Sequence, residues 1–364
     1  MTNEDTSRAR PKSSRLALWV AVLLLTIAGL AVYFAFARQR QPKHLKLALV
    51  TWTQDPFWEP LLRGAQSCAD RSNVELTIVL SKPTVEEQNR HIRELLDVGI
   101  DGIAISPNDA RAQLAILNEA AGKMPLVTFD SDAPESKRRR FVGIDNYAAG
   151  RFCADEMRDA LPEGGPILIS VGSAAMQHGR DRRQGLIDGL LDRGIDRSRP
   201  ADPLDAELKG PKYSVVATVT DNADPERAVT VIADALNAHP EVKGIVGLFS
   251  YSAPAALEAM QKVGRAGQLK VVGFDESDQT QAAIEAGAIH SSILQDSYRA
   301  GYEAIEVLSA EARGQEPGPA EQSPILNVGI DVLTAKNLSD LRSAGTIHRP
   351  AVSPSTRPSA EAAS

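Results

Sequence analysis

The sequence predicts an α/β protein made of two adjoining lobes, each with a parallel sheet. Three observations predict it. Short apolar runs of about five residues alternate with longer amphipathic segments across most of the 364-residue chain. The runs are apolar almost throughout, as strands covered on both faces require. About eleven such runs are many for one open sheet, so two lobes fit better.

The elements follow in order. Leu45 to Thr51 reads as a strand, and Phe57 to Arg71 as a helix with Leu61, Leu62, Ala65 and Cys68 or Ala69 along one face. Val74 to Leu80 is the next strand. Glu86 to Val98 is a helix closed by Gly99, and Gly102 to Ser106 a strand ending at Pro107. A helix over Ala110 to Ala121, a strand over Met124 to Phe129 and a short strand over Phe141 to Gly143 complete the first series. In the second series, helices are expected over Tyr147 to Ala160, Arg180 to Arg193, Pro225 to Ala238, Ala253 to Val263, Gln279 to Ala286 and Tyr298 to Leu308. Strands are expected over Pro166 to Val171, Tyr213 to Thr218, Gly244 to Phe249, Leu269 to Phe274, His290 to Leu294 and Pro324 to Gly329. Asp202 to Lys212 reads as a polar insertion, and Lys137 to Arg140 as a solvated turn.

The two ends differ from this body. Leu16 to Ala37 is a run of 22 residues without a charge, preceded by Arg8, Arg10, Lys12 and Arg15. At about 1.5 Å per residue a helix of that length crosses a bilayer core. The preceding charges keep the N-terminus cytoplasmic and send the body outward. The run reads as an uncleaved anchor or as a signal cut after Ala37, and both export the body. The final stretch, 349 to 364, is rich in Pro, Ser and Ala and reads as a disordered tail.

Charge and motif content narrow the function. The net charge is −7, and the first 43 residues hold seven Lys or Arg against two acids, so the body carries about −12. That argues against a nucleic-acid partner. Cys68 and Cys153 are too few for a disulfide framework and have no metal spacing. HExxH, P-loop, CxxC and GxSxG patterns are absent, and His91, His178, His239 and His290 are scattered. No enzyme, no cofactor and no metal site is expected.

The predicted strand ends are polar, and ligands of open α/β sheets sit beyond such ends. TWTQDPFW follows the first strand, FDSDAP the fourth, FSYS the strand ending at Phe249, GFDESD the strand ending at Phe274, and Gln295 the strand after it. Aromatic faces beside Asp, Gln, Tyr and Arg groups suit a sugar or polyol, whose C–H face stacks while its hydroxyls pair. Several of these residues also fit plainer roles. Asp55 precedes Pro56 and fits a helix cap, as does Asp275; Phe57 and Trp58 fit core packing; Asp132 and Asn222 fit turns.

QDPFW, DGIAISPND, PLVTFDSD, VGIDNYAAG, GRDRRQG, LNAHPEVKGIVGLFS, VVGFDES and ILQD together resemble the periplasmic sugar-binding proteins of the ribose/galactose type that serve ABC transporters. The likeness covers about Leu45 to Asp331. It implies two Rossmann-like lobes joined by a three-segment hinge, closing over a sugar. The first lobe would hold 44–143 and 297–325, and the second 144–296 and about 326–333. It implies ligand contacts from Phe57 and Trp58, Asp130, Arg182, Asp275 and Gln295. Four further positions depart from ribose binders: Asp55 stands where they carry Asn, Ser131 where they carry Arg, Ala223 where they carry Phe, and Tyr251 where they carry Asn. The implied function is an extracytoplasmic receptor, with a monomeric body, that delivers a sugar or polyol to an ABC permease. The alternative is a membrane-tethered sensor that passes ligand state to a signalling partner.

Overall fold

The computed structural model describes residues 19–30, 43–53, 56–315, 323–344 and 347. The chain divides into two units, 1–44 and 45–364. In the first, residues 19–30 form a helix, α1, with exposed side chains. The expected span over 16–37 runs past both ends of α1 into positions outside the described residues, as does the cleavage point after 37. Among the described residues no helix is long and apolar enough to cross a membrane. The expected tail, 349–364, also lies outside them.

The second unit opens with β1 (Leu45–Val50), a 3-10 turn (Pro56–Trp58), α2 (Glu59–Arg71), β2 (Val74–Val79) and α3 (Val85–Val98). Then come β3 (Gly102–Ile105), α4 (Leu114–Lys123), β4 (Leu126–Phe129) and β5 (Arg140–Gly143). The chain continues through α5 (Asn146–Ala160), β6 (Gly165–Val171), α6 (Gln177–Leu190), β7 (Leu208–Lys209), β8 (Tyr213–Thr220) and α7 (Pro225–Ala238). β9 (Gly244–Gly247), α8 (Ser252–Lys262), β10 (Lys270–Phe274), α9 (Asp278–Glu285) and β11 (Ser291–Gln295) follow. α10 (Ser297–Ala312), β12 (Ile325–Asn327), β13 (Ile330–Thr334) and α11 (Leu338–Ala344) complete it.

Two sheets result. One has the order β12-β5-β4-β3-β1-β2 with every pair parallel. The other has the order β13-β11-β10-β9-β6-β8-β7 and is parallel except at its two edges. The chain passes from one sheet to the other between β5 and α5, between β11 and α10, and between β12 and β13. The expected α/β architecture with two mostly parallel sheets is the observed one.

Local chemistry sets the element ends. Thr84 accepts the Glu87 N–H to start α3, and Gly99 stops it at φ 71°. Asp145, Asp224 and Asp296 cap α5, α7 and α10 in the same way. Several boundaries differ from the sequence reading. α4 begins four residues late, because the Asp109 side chain takes the N–H groups of Arg111 and Ala112 and holds a turn. α6 begins three residues early and ends before Asp192, which is left-handed at φ 55°. The last expected strand, Pro324 to Gly329, is β12; Gly329, φ 95°, then separates it from β13, which was not expected and joins the other sheet. β2 is half exposed, with only one strand beside it. The Lys137 to Arg140 turn is not fully solvated: Arg138 forks onto Asp132, with Nη2 at 2.6 Å from Oδ2, and Arg140 is buried. Cys68 and Cys153 are buried and unbridged.

In each lobe two helices cross at glycines. A Cβ on Gly64 would lie 1.9 Å from the Tyr298 carbonyl oxygen, and one on Gly301 would lie 1.9 Å from that of Leu61. These contacts join α2 to α10. The α5–α6 pair repeats the device: Gly150 faces the Arg182 carbonyl at 2.0 Å and Gly185 that of Tyr147 at 2.0 Å. Only hydrogen fits in such gaps, and the obstacle is backbone, which does not yield cheaply. Gly301→Ala is therefore expected to destabilise the fold by roughly 3 kcal/mol through overpacking. Urea denaturation checks this; an unchanged midpoint would show that the helices can move apart freely.

Candidate functional site

Each sheet has a point where its strand order reverses. In the first sheet it lies between β1 and β3; in the second, between β6 and β9. The carboxyl ends of strands at such points leave a crevice. One cavity draws on both. Trp52, just past β1, Phe57 and Asp130, just past β4, line it from the first lobe. His178 and Arg182 on α6, Phe249 and Tyr251 past β9, and Asp275 past β10 line it from the second. The free space inside is small, about 20 Å³, enough for ordered water and little more.

The two acids are placed by matching turns. Phe129-Asp130 ends β4 and Phe274-Asp275 ends β10. Both phenylalanines are fully buried, and both aspartates take left-handed backbone, at φ 58° and 60°. Each aspartate N–H donates to the strand beyond: Asp130 to the Val142 carbonyl at 3.1 Å, Asp275 to that of Ile293 at 2.7 Å. The turn thus pins the backbone while aiming the carboxylate off the sheet end. Ser106 Oγ (3.0 Å) and Trp52 Nε1 (3.4 Å) donate to Asp130 Oδ2. Gln295 Nε2 donates to Asp275 Oδ1 at 2.9 Å. Burial raises the Asp130 carboxyl above its ordinary value, against the pull of Arg182 and those two donors.

Arg182 is the cation at the centre and is 2 % exposed. Its guanidinium lies 3.8 Å above the Phe274 ring centroid. Nε donates to Asn146 Oδ1 at 2.8 Å and Nη1 to the Leu248 carbonyl at 3.1 Å. Nη2 is buried and has no hydrogen-bond partner among the described residues. Burial lowers the Arg182 value, and Asp275 and then Asp130 oppose that. His178 Nδ1 is likewise buried and unpartnered among the described residues. Burial, with Arg182 and Arg180, holds His178 well below its ordinary value, so the ring is neutral. His178 lies between Trp52, at 6.4 Å, and Phe249, at 5.0 Å between ring centroids.

Of the nine expected residues, Phe57, Asp130, Arg182, Tyr251 and Asp275 share this cavity. Gln295 reaches it through its bond to Asp275. Ser131 is buried beside Asp130 but does not line the cavity. Trp58 stands behind the wall: it is 1 % exposed, packs edge-on against Phe129, and donates from Nε1 to Thr53 Oγ1 at 3.0 Å. Asp55 lies outside the described residues. Trp52, His178 and Phe249 were not foreseen. Trp52 is the second residue past β1, at a strand end where such contacts gather. His178 was hidden by placing the start of α6 three residues late; with the observed start, His178 and Arg182 share a face at i, i+4.

A family model described as a periplasmic binding protein domain matches residues 48–316. The chain belongs to that family. The periplasmic binding proteins of this family are non-enzymatic solute-binding proteins that work outside the cytoplasm. Similar curated proteins include the ribose import binding protein RbsB of Salmonella typhimurium, 23% identical over 81% of this chain and 93% of that protein. Another is the D-allose-binding periplasmic protein of Escherichia coli, 22% identical over 78% of this chain and 89% of that one. Among solved structures, an ABC transporter solute-binding protein from Burkholderia graminis in complex with D-arabinose has a TM-score of 0.73 at 27% identity, covering 82% of this chain and 98% of its own.

This binding protein carries a third buried acid beside the cavity. Asp221 follows β8, is fully buried, and accepts the Tyr251 hydroxyl at 2.7 Å. Burial pushes its carboxyl up to about 6, against the Tyr251 bond. The native state therefore holds a proton that the unfolded state has lost between about pH 4 and about pH 6. Stability falls as pH rises through that window and stays lower above it. Asp221→Asn keeps an acceptor for Tyr251 and removes the charge. It is expected to flatten this slope and to stabilise the protein at neutral pH by roughly 3 kcal/mol. Urea midpoints across the window decide; a slope identical to that of the parent would assign the pH dependence to other groups. Trp58→Ala should cost roughly 3–5 kcal/mol of stability by the same measurement, as emptying a core site does.

Proposed function

We propose that the cleft captures a sugar or polyol and that the protein delivers it to an ABC importer. The observation that carries this reading is the pair of orphaned buried groups, Arg182 Nη2 and His178 Nδ1, set among Asp130, Asp275 and the rings of Trp52, Phe57 and Phe249. Buried polar groups in native proteins have partners, so two at one cavity ask for a hydroxylated solute. The rings supply flat apolar faces for its C–H groups, and the two carboxylates accept from its hydroxyls. Relatives named for ribose, allose and arabinose support this solute class.

The residues take distinct roles in this reading. Asp130 and Arg182 bind from opposite lobes, so the solute draws the lobes together. Gln295 orients Asp275 from the last position of β11, where the crossover begins. Phe57 and Tyr251 would flank the solute, Ser131 would act only by packing beside Asp130, and Asp55 would add a contact next to Phe57. The lobes would be 44–143 with 297–325, and 144–296 with about 326–333. The run 16–37 would tether the body beside its permease and raise its local concentration there.

A thermal-shift series on the full chain with D-ribose, D-allose, D-arabinose, D-fucose and polyols tests the reading. Binding to the native state raises the melting temperature by mass action, about 2.7 kcal/mol at a hundredfold excess over Kd. One responding sugar supports it; a flat series in folded protein would defeat it. With that sugar, Asp275→Ala is expected to weaken binding by about 2–5 kcal/mol, because it strands the partners of a buried charge. Calorimetric titration reads the loss, and affinity equal to the parent's would remove Asp275 from the site.

A further inference from the structure

We infer that a second pocket, separate from the solute cavity, binds a small multivalent oxyanion of the phosphate or dicarboxylate class across the two lobes. The pocket has a volume of about 320 Å³. Arg111 and Glu135 line it from the first lobe, and Gln177, Arg180, Arg197 and Arg199 from the second. Four guanidinium groups and one carboxylate meet there, in a body whose overall charge is strongly negative.

Two of the four are already neutralised and two are not. Arg197 pairs with Asp145, and Arg199 Nη1 with Asp188 at 2.9 Å. The Arg111 side chain is exposed and has no hydrogen-bond or ion-pair partner among the described residues. Arg180 is half-buried and bonds only neutral acceptors: the carbonyls of Ala174 and Ala175, at 3.2 and 2.6 Å, and Gln177 Oε1 at 2.6 Å. Burial pulls the Arg180 guanidinium below its ordinary value and Arg111 adds to this from the facing lobe, while Asp181, Asp109 and Glu135 oppose it. α6 starts at Gln177 without a side-chain cap, so its first N–H groups add further positive potential at the same wall.

The two unpaired cations sit on opposite lobes. An anion with charge on more than one oxygen can bridge them and turn their repulsion into attraction. Single chloride ions lack that geometry, and a polyanionic chain would meet the acidic body around the pocket. Binding here favours the arrangement in which the lobes meet. By reciprocity it also strengthens solute binding, a consequence that rests on the reading above. The anion site itself does not depend on that reading.

The test uses the full chain in mild detergent, with inorganic phosphate and succinate as probes and sodium chloride at matched ionic strength as reference. Phosphate or succinate is expected to raise the melting temperature above the chloride reference, and the stronger of the two names the class. Arg111→Gln, which removes no internal contact, should weaken the apparent affinity roughly tenfold. Arg180→Lys should weaken it less, because the charge is kept and the fork is lost. Arg299→Gln, on the exposed face of α10, should leave it unchanged. Equal shifts from all three salts would overturn the proposal. So would a phosphate response that survives in Arg111→Gln or fails equally in Arg299→Gln.

Discussion

The centre of this molecule is a buried guanidinium. An arginine taken out of water is tolerable only where acids, acceptors and a ring face replace its hydration. Arg182 has all three: acids on both sheets, acceptors from α5 and from the segment after β9, and the face of Phe274. Each comes from a different part of the chain. The sheets must therefore present their carboxyl ends to one another for the charge to be accommodated. The glycine crossing of α5 and α6 serves the same end, because Gly150 makes room for the carbonyl of Arg182 itself. Packing and electrostatics fix the same residue.

The paired aspartates show how an α/β lobe makes a rigid anionic tip. A buried phenylalanine ends the strand, and the next residue flips into left-handed backbone, a region that Asp tolerates better than most residues. The N–H then bonds the neighbouring strand, leaving the carboxylate at the crevice. The same solution in both lobes puts Asp130 and Asp275 in equivalent places about Arg182. Backbone strain of this kind gathers where function needs a fixed side chain. Asn222 and Ala223, left-handed at φ 59° and 61° beside Asp221, repeat the pattern on the second lobe.

Much of this was legible in the sequence, and the parts that were not have physical reasons. The alternation of apolar runs with amphipathic segments gave the element order, because strand and helix periods differ. The strand-end acids were visible as polar groups directly after apolar runs, and Arg182 through the resemblance of the GRDRRQG segment. Trp58 was misplaced because Trp52 and Trp58 lie six residues apart in one irregular segment, and only the packing decides which ring faces the crevice. Trp58 turns inward onto Phe129, while Trp52 turns out over Asp130. Short antiparallel edges such as β7 and β13 carry no periodicity long enough to read. Arg138 looked like a solvated turn residue because its partner, Asp132, is six positions back, outside any helical spacing.

The resemblance to ribose binders implies a ring where this chain has Ala223 and a cation where it has Ser131. Trp52, His178 and Phe249 form a contiguous aromatic group at the same cavity. The Tyr251 hydroxyl is committed to Asp221. On the proposed function, the acids and the arginine would pair with hydroxyls while the rings would set the shape that selects among solutes. Selectivity in a site of this kind follows from which buried polar group a wrong solute leaves unpaired. For this chain those groups are Arg182 Nη2 and His178 Nδ1. A solute that satisfies both at once must present an acceptor to Arg182 Nη2 and a hydroxyl, which can donate or accept, to His178 Nδ1, from within the ring of aromatic side chains.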